Sequence, residues 1–185
     1  MLKRGFDIAG SLLLLLVTSP IWMVVAILVR RSGPGPIFYR QNRVGLYGRV
    51  FRIFKFRTMV SNADKIGGYS TSDGDARITP VGRVLRRYSL DELPQLLNVL
   101  KGDMSLVGPR PDVPAQGELY TAAELEKRNS VRPGITGLAQ ATVRSSATAA
   151  ERMRLDLDYV DRQDFLFDMK IMVMTARQIV TKGGN

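Results

Sequence analysis

Two residue types are missing altogether: there is no cysteine and no histidine among the 185 residues. Without cysteine there is no disulfide scaffold, no thiolate nucleophile and no Cys-ligated metal site. Without histidine there is no Ser-His-Asp triad, no imidazole base and no His-ligated zinc. Any catalysis by this chain therefore runs on carboxylates, Lys, Tyr, Ser/Thr or Arg. A divalent metal, if the chemistry uses one, has to be a hard cation held by oxygens. Disorder is excluded by a hydrophobic fraction of 45%, and the length suits one domain with a real core. There is no internal repeat and no linker.

Acidic residues are scarce in one region only. Residues 1–60 hold ten Lys or Arg and a single acid, Asp7. Residues 61–185 hold 17 basic and 16 acidic residues, so almost all of the net +10 lies in the first third of the chain. That third also holds the one long apolar run. Basic clusters beside an apolar anchor suit anionic lipid headgroups; nucleic acid is the other usual target of such a field.

Charge is absent from Ile8 to Val29. At about 1.5 Å per residue this run just crosses a hydrocarbon core of roughly 30 Å. It is too long for a signal peptide and has no small-x-small cleavage site after it. Lys3 and Arg4 precede it, and Arg30, Arg31, Arg40 and Arg43 follow. The positive-inside rule therefore asks for both ends in the cytoplasm. Ser19-Pro20 sits near the middle, where proline removes a helix hydrogen bond and a Ser hydroxyl can take up a freed carbonyl. Two readings stand on these residues: a re-entrant helix broken at Ser19-Pro20, and a Pro-kinked helix that spans the membrane.

The remainder reads as α+β and mostly helical. Gly33-Pro34-Gly35-Pro36 ends the apolar segment. Ile37–Tyr39 and Val50–Phe56 read as strands around Gly45-Leu46-Tyr47-Gly48, with basic and aromatic residues interleaved. Residues 61–78 read as a loop. Thr79-Pro80 reads as an N-cap and N1 pair opening a helix through Arg87. A helix is expected from Asp91 to Leu100, with Gly102 just past its end. Gly108-Pro109-Arg110-Pro111 has to be irregular. Further helices are expected over Glu118–Arg128, Thr148–Asp161 and Phe165–Val180, with RPGITG (132–137) as a loop. On the last helix Phe165, Leu166, Met169, Met172, Val173 and Ile179 can share a face that lies on a membrane or packs in the core.

The chemistry centres on Ser89-Leu90-Asp91-Glu92. Ser89 with Glu92 three residues on is a capping-box pattern, and acids in a first turn suit the helix dipole. The functional reading uses the same residues. With His and Cys absent, a carboxylate is the natural nucleophile for a phosphoryl centre. Phosphoryl transfer needs positive charge around the phosphate oxygens. Asp91, Glu92, Arg86 and Arg87 supply nucleophile, metal ligand and charge clamps within a few residues. Arg110 lies between two prolines and Arg132 precedes one; each is either a presented guanidinium or a solvated turn residue.

The ordered set of motifs carries a resemblance. Lys3-Arg4 and Asp7 precede the run broken by Ser19-Pro20; then come FKFRTM (54–59), SLDELPQLLNVLKGDMSLVGPRP (89–111) and RPGITGLAQ (132–140). The chain resembles the bacterial sugar transferase family, the small monotopic polyprenyl-phosphate sugar-1-phosphate transferases, from residue 3 to about 180. The resemblance implies a re-entrant membrane helix (1–32) turning at Ser19 and Pro20. It also implies a single catalytic unit (33–185), compact and helical with a short β-hairpin, lying on the cytoplasmic face of the bacterial inner membrane.

It implies a ping-pong reaction as well. Asp91 attacks the sugar-bearing phosphate of a UDP-sugar and releases UMP; undecaprenyl phosphate then takes the sugar-phosphate from Asp91. Glu92 matches a Mg²⁺-binding carboxylate and Arg86 a phosphate-binding arginine. Pro109, Arg110 and Pro111 lie by the nucleotide, Arg144 matches a substrate-contacting arginine, and Lys55 and Arg57 match basic positions near the site. The implied partners are the UDP-sugar, the lipid phosphate and anionic membrane lipids, without nucleic acid. The resemblance leaves room for a homodimer. Many relatives read Val-Asn-Gly-Arg after GLAQ, where this chain has Ala141-Thr142-Val143-Arg144; the different turn chemistry bears on sugar identity. Two competing readings remain: a membrane-anchored basic binding module, and a single-step phosphoryl transferase with Asp91 as base or metal ligand.

Overall fold

The computed structural model describes residues 2–68, 74–143 and 147–182. It begins with α1 (Leu2–Arg31), one helix of 30 residues with Pro20 inside it. The sequence reading put a break at Ser19-Pro20; helical structure continues across the pair. Proline has no N–H for the carbonyl of Leu16, four residues back. The Ser19 hydroxyl donates to that carbonyl instead, at 2.8 Å, and Thr18 Oγ1 donates to Leu14 O at 2.6 Å. The carbonyl that proline would orphan is thus satisfied within the helix, which an apolar medium demands.

One side of α1 is bare hydrocarbon. Leu12, Leu13, Leu16, Val17, Met23 and Val24 are each more than half exposed. Such a patch is costly in water, and the helix is long and apolar enough to cross a membrane. Both ends of α1 are fastened to the rest of the chain. Near the start, the buried Asp7 carboxylate accepts from Ser105 Oγ and Leu106 N–H, both at 3.0 Å. Lys3 pairs with Asp168 at 2.5 Å, and Arg4 donates to Val99 O and Leu100 O. Near the end, Val25 and Val29 pack with Phe56 and Leu85.

Strands β1 (Phe38–Val44) and β2 (Val50–Phe56) form an antiparallel hairpin in which Tyr39 pairs with Lys55 and Phe38 with Phe56. The first strand runs further than the expected Ile37–Tyr39, through the polar Gln41-Asn42-Arg43. Between the strands, Leu46–Gly48 makes a 3-10 turn with Tyr47 at φ 53°. Side chains alternate across β2. Lys55 faces one way, while the buried Phe56 faces α1, its ring 5.4 Å from that of Trp22. Trp22, Phe38 and Phe56 with Ser19 and Pro20 line an apolar groove on that side.

A short helix, α2 (Ala63–Ile66), lies within the expected 61–78 loop, part of which falls outside the described residues. Helix α3 (Pro80–Arg87) starts as its sequence requires: Thr79 Oγ1 accepts from Gly82 N–H, and Pro80 is the first helical residue. The next expected helix is two pieces. Leu90–Glu92 is a 3-10 turn, and α4 (Gln95–Lys101) begins only after Pro94, ending at Gly102 with φ 93°. Asn98 of α4 is fully buried, and its amide acts as a peptide group toward β2, accepting from Phe54 N–H at 2.9 Å and donating to Arg52 O at 2.8 Å.

The segment expected as a loop at 132–137 contains a strand, β4 (Gly134–Thr136), parallel to β3 (Ser105–Val107). A Cβ on Gly134 would sit 2.1 Å from Gly108 N, so this close approach needs glycine. The helix expected from Glu118 starts at Ala122: Pro114–Leu119 is 3-10, and α5 (Ala122–Arg128) opens with a capping box between Thr121 and Glu124. Then follow α6 (Leu138–Thr142), α7 (Ala149–Arg162) and α8 (Phe165–Lys182). The main core gathers Ile53, Leu96, Val99, Leu106, Tyr159 and Ile171. On α8, Ile171 is buried and Phe167 and Met172 pack against that core. Leu166 and Val173 stay exposed, so the expected apolar stripe is divided between core and surface.

Candidate active site

Ser89 has φ 54° and ψ 22°, a left-handed conformation that costs a non-glycine residue roughly 1–2 kcal/mol. It stops α3 and turns the chain into the 90–92 turn. The capping-box reading fails for this reason: the Ser89 side chain makes no cap hydrogen bond. Glu92 turns instead to two cations from other segments. Lys55 Nζ donates to Glu92 Oε1 at 2.7 Å and Arg110 Nη2 to the same oxygen at 2.8 Å. The strained turn therefore places the acidic pair rather than capping a helix.

The two carboxylates differ in state. Burial opposes ionisation of Glu92, but Arg110 and Lys55 outweigh it and hold its carboxyl well below the usual range. Burial pushes the Asp91 carboxyl up, Glu92 adds to the rise, and Lys55, Arg86 and Arg110 pull the other way. Asp91 is 6% exposed and accepts no hydrogen bond from the described residues. Burial also lowers the Lys55 ammonium, against the pull of Glu92. The result is a buried carboxylate with no hydrogen bond, ringed by three cations, beside one held through a single oxygen by two of them. Such a group can attack a phosphorus centre while the cations take up the phosphate oxygens.

Each cation is held by its own element. Arg86, in the last turn of α3, donates through Nε to Thr58 Oγ1 at 3.0 Å. Lys55 is fixed by β2, which Asn98 ties to α4. Arg110 leaves the irregular Gly108–Pro111 segment that follows β3. The arrangement thus joins Lys55, Arg86, Asp91, Glu92 and Arg110 from four separate stretches. Arg57 stands apart from them. It is buried and donates to Val29 O, Gly33 O and Pro34 O, capping the end of α1. Ser19 and Pro20 lie on α1, and Arg132 Nε donates to Gly102 O at 2.9 Å. Arg144 lies outside the described residues.

Among the described residues there is no group of three or more acidic ligands for a metal. Asp91 and Glu92 offer two adjacent carboxylates, and Glu92 Oε2 carries no hydrogen bond from the described residues. That set fits a Mg²⁺ taken up mainly through substrate phosphates and water, with one or two protein carboxylates.

Sequence reasoning missed a group behind the site. Arg128 on α5 is 5% exposed and pairs with Asp156 of α7 at 2.8 Å and with Asp112 at 3.0 Å. Arg43 on β1 donates to Pro111 O at 2.9 Å; burial and the nearby Arg110 lower it to about 10. No local motif marks these residues. The only sequence signal is a charged residue, Arg128, at the inward position of a short amphipathic helix.

The structure thus joins an apolar helix, long enough to cross a membrane and fastened at both ends, to a body that carries an acidic pair among three cations. The chain belongs to the bacterial sugar transferase family, whose model matches residues 1–182. It is 43% identical to an uncharacterized sugar transferase, EpsL, of Bacillus subtilis strain 168, over 99% of this chain and 89% of that protein. It is 42% identical to a UDP-glucose:undecaprenyl-phosphate glucose-1-phosphate transferase of Caulobacter vibrioides, over 97% of this chain and 70% of that protein. It is 40% identical to a UDP-N-acetylgalactosamine-undecaprenyl-phosphate N-acetylgalactosaminephosphotransferase of Aeromonas hydrophila, over 99% of this chain and 44% of that protein.

Proposed function

We propose that this chain is a phosphoglycosyl transferase. It moves a sugar-1-phosphate from a UDP-sugar to undecaprenyl phosphate and releases UMP, the first membrane step in building a polysaccharide, O-antigen or glycoprotein glycan. The observation that carries the reading is the contrast between Asp91, buried and without a hydrogen bond, and Glu92, held by Lys55 and Arg110. The names of the relatives agree with the substrate classes.

An Asp91 carboxylate oxygen attacks the phosphorus that bears the sugar. The bond from that phosphorus to the bridging oxygen breaks, and UMP leaves with the oxygen and its electron pair. Arg86, Lys55 and Arg110 balance the charge of the phosphates. A phosphate oxygen of the lipid then attacks the same phosphorus, Asp91 departs as carboxylate, and the product is the polyprenyl diphosphate-sugar. Two steps spare the site from holding two large anions at once. Mg²⁺, bound by Glu92 and the donor's phosphates, would neutralise charge on the diphosphate.

The membrane arrangement belongs to the same proposal. Helix α1 (within residues 1–32) bends at Ser19-Pro20 and returns to the face it entered, leaving residues 33–185 on the cytoplasmic face of the inner membrane. Fastening both ends of α1 to one body supports this, as do the basic residues at both ends. Cysteines introduced singly at either end should label from the same side; labelling from opposite sides rules re-entry out.

The deciding experiment is UMP release from a panel of UDP-sugars with Mg²⁺, with and without undecaprenyl phosphate. Sustained release needs the lipid and one particular sugar. A labelled sugar-phosphate trapped on Asp91 in the absence of lipid supports the covalent step. Lipid-dependent turnover with no trapped species, even on rapid quenching, points to single-step transfer. Silence across the panel from folded protein favours a binding role.

A further inference from the structure

We infer that Arg128, a buried residue outside the site, positions Arg110 for the donor phosphates by gripping the backbone of the Pro109-Arg110-Pro111 segment. This rests on the transferase reading above. Prolines at 109 and 111 remove two N–H groups, so the segment cannot be held by an ordinary strand ladder. It is held by its carbonyls instead, and four in a row are taken. Gly134 N–H donates to Pro109 O at 2.9 Å, and Arg128 Nη2 to Arg110 O at 2.5 Å. Arg43 Nη1 donates to Pro111 O at 2.9 Å, and Val44 N–H to Asp112 O at 2.9 Å.

Of these four grips only Arg128 acts on Arg110 itself, and it does so with a planar fork shared among three partners, two in this segment and one on α7. Its Nε goes to Asp156 on α7 and its Nη1 lies 3.0 Å from Asp112. A buried charge cluster is poor value as a source of stability, because desolvation offsets most of the attraction. Its use lies in direction. The fork fixes the plane of the 110–111 peptide and with it the path of the Arg110 side chain to Glu92, 2.8 Å away at Oε1. A lysine keeps the charge but has no rigid fork with which to hold three partners at set angles.

The test is a double-mutant cycle on the full chain in lipid nanodiscs, reading UMP release with the active donor. Arg128→Lys is expected to lower kcat/KM on the order of 10- to 100-fold. In an Arg110→Ala background the same change should cost less than about twofold, because the residue it aims is gone. Thermal melts accompany each variant; if Arg128→Lys melts early, Asp156→Asn, which loosens the fork from α7, takes its place in the cycle. Equal losses in both backgrounds overturn the positioning role and leave the transferase reading standing. Native turnover by Arg110→Ala also overturns the positioning role, since Arg128 then has nothing to aim, whereas silence of the folded native chain across the UDP-sugar panel overturns the transferase reading.

Discussion

Asp91 and Glu92 are adjacent in the chain and opposite in their surroundings. Glu92 Oε1 accepts a hydrogen bond from Lys55 Nζ at 2.7 Å and another from Arg110 Nη2 at 2.8 Å, while the more deeply buried Asp91 accepts none from the described residues. One carboxylate is committed to holding the site together, and the other is left available to react.

That contrast makes activity and stability separable. Asp91→Asn is expected to abolish UMP release, by on the order of 10³-fold or more, yet to raise the melting temperature. Burial penalises the charged Asp91, and a neutral amide removes the penalty. Glu92→Gln should impair release severely and also lower stability by about 1–3 kcal/mol, since it weakens bonds to two partly buried cations. Activity assays and melts on the two variants check both signs. Near-native turnover in Asp91→Asn would end its assignment as nucleophile.

The acid limb of the pH–rate profile should belong to Asp91. It must be ionised to attack, and burial raises its pKa, so kcat/KM for the donor should fall at a pH above the usual aspartate range. Lys55 favours the ionised form. Lys55→Met should therefore move the limb to higher pH as well as reducing the rate. Initial rates across pH for both proteins decide it; a limb that stays put would mean that another group controls ionisation.

Gly82 lies where α3 crosses the chain after β2. An added Cβ would fall 2.0 Å from Thr58 O, a clash with backbone. Gly82→Ala should destabilise the protein by about 1–3 kcal/mol. It should also cut turnover about tenfold by shifting Arg86, whose Nε bonds the Thr58 hydroxyl. A melt and a rate at saturating donor test the two halves.

Asp7 joins the start of α1 to β3. Asp7→Leu leaves the Leu106 N–H and the Ser105 hydroxyl without their acceptor, at a cost of about 1–3 kcal/mol. Limited proteolysis in detergent should cut between α1 and the remainder sooner than in the native chain. Unchanged digestion would show that Lys3 and Arg4 hold that end alone.

What the sequence made legible was local chemistry. Thr79-Pro80 opens α3, and Gly102 ends α4, because caps act within a few residues. Asp91, Glu92, Arg86, Arg110 and Lys55 were marked by residue type and motif, and the structure brings them together. Long-range pairings were not legible. Nothing in RPGITG announces that it will lie parallel to β3, and nothing in AAELEKR says that its arginine will reach Asp112 and Asp156. One spacing misled for a physical reason. Ser89 and Glu92 have the interval of a capping box, but the left-handed Ser89 turns its side chain out of register. The family resemblance set Arg57 near the site with Lys55; it lies beyond the end of β2, and its guanidinium donates to Val29 O of α1 and to Gly33 O and Pro34 O just after that helix.

Lys55 and Phe56 point to opposite sides of one strand, one into the acidic pair and the other onto α1. This sets a parity rule on how the hairpin can evolve. Two residues added to each strand lengthen it and leave both faces as they were. A single residue inserted before Lys55 in β2 exchanges the faces, sending an aromatic ring toward Glu92 and an ammonium toward the apolar groove. Descendants of this chain can therefore vary the hairpin in steps of two, and an odd step loses the charge clamp and the helix anchor in the same event.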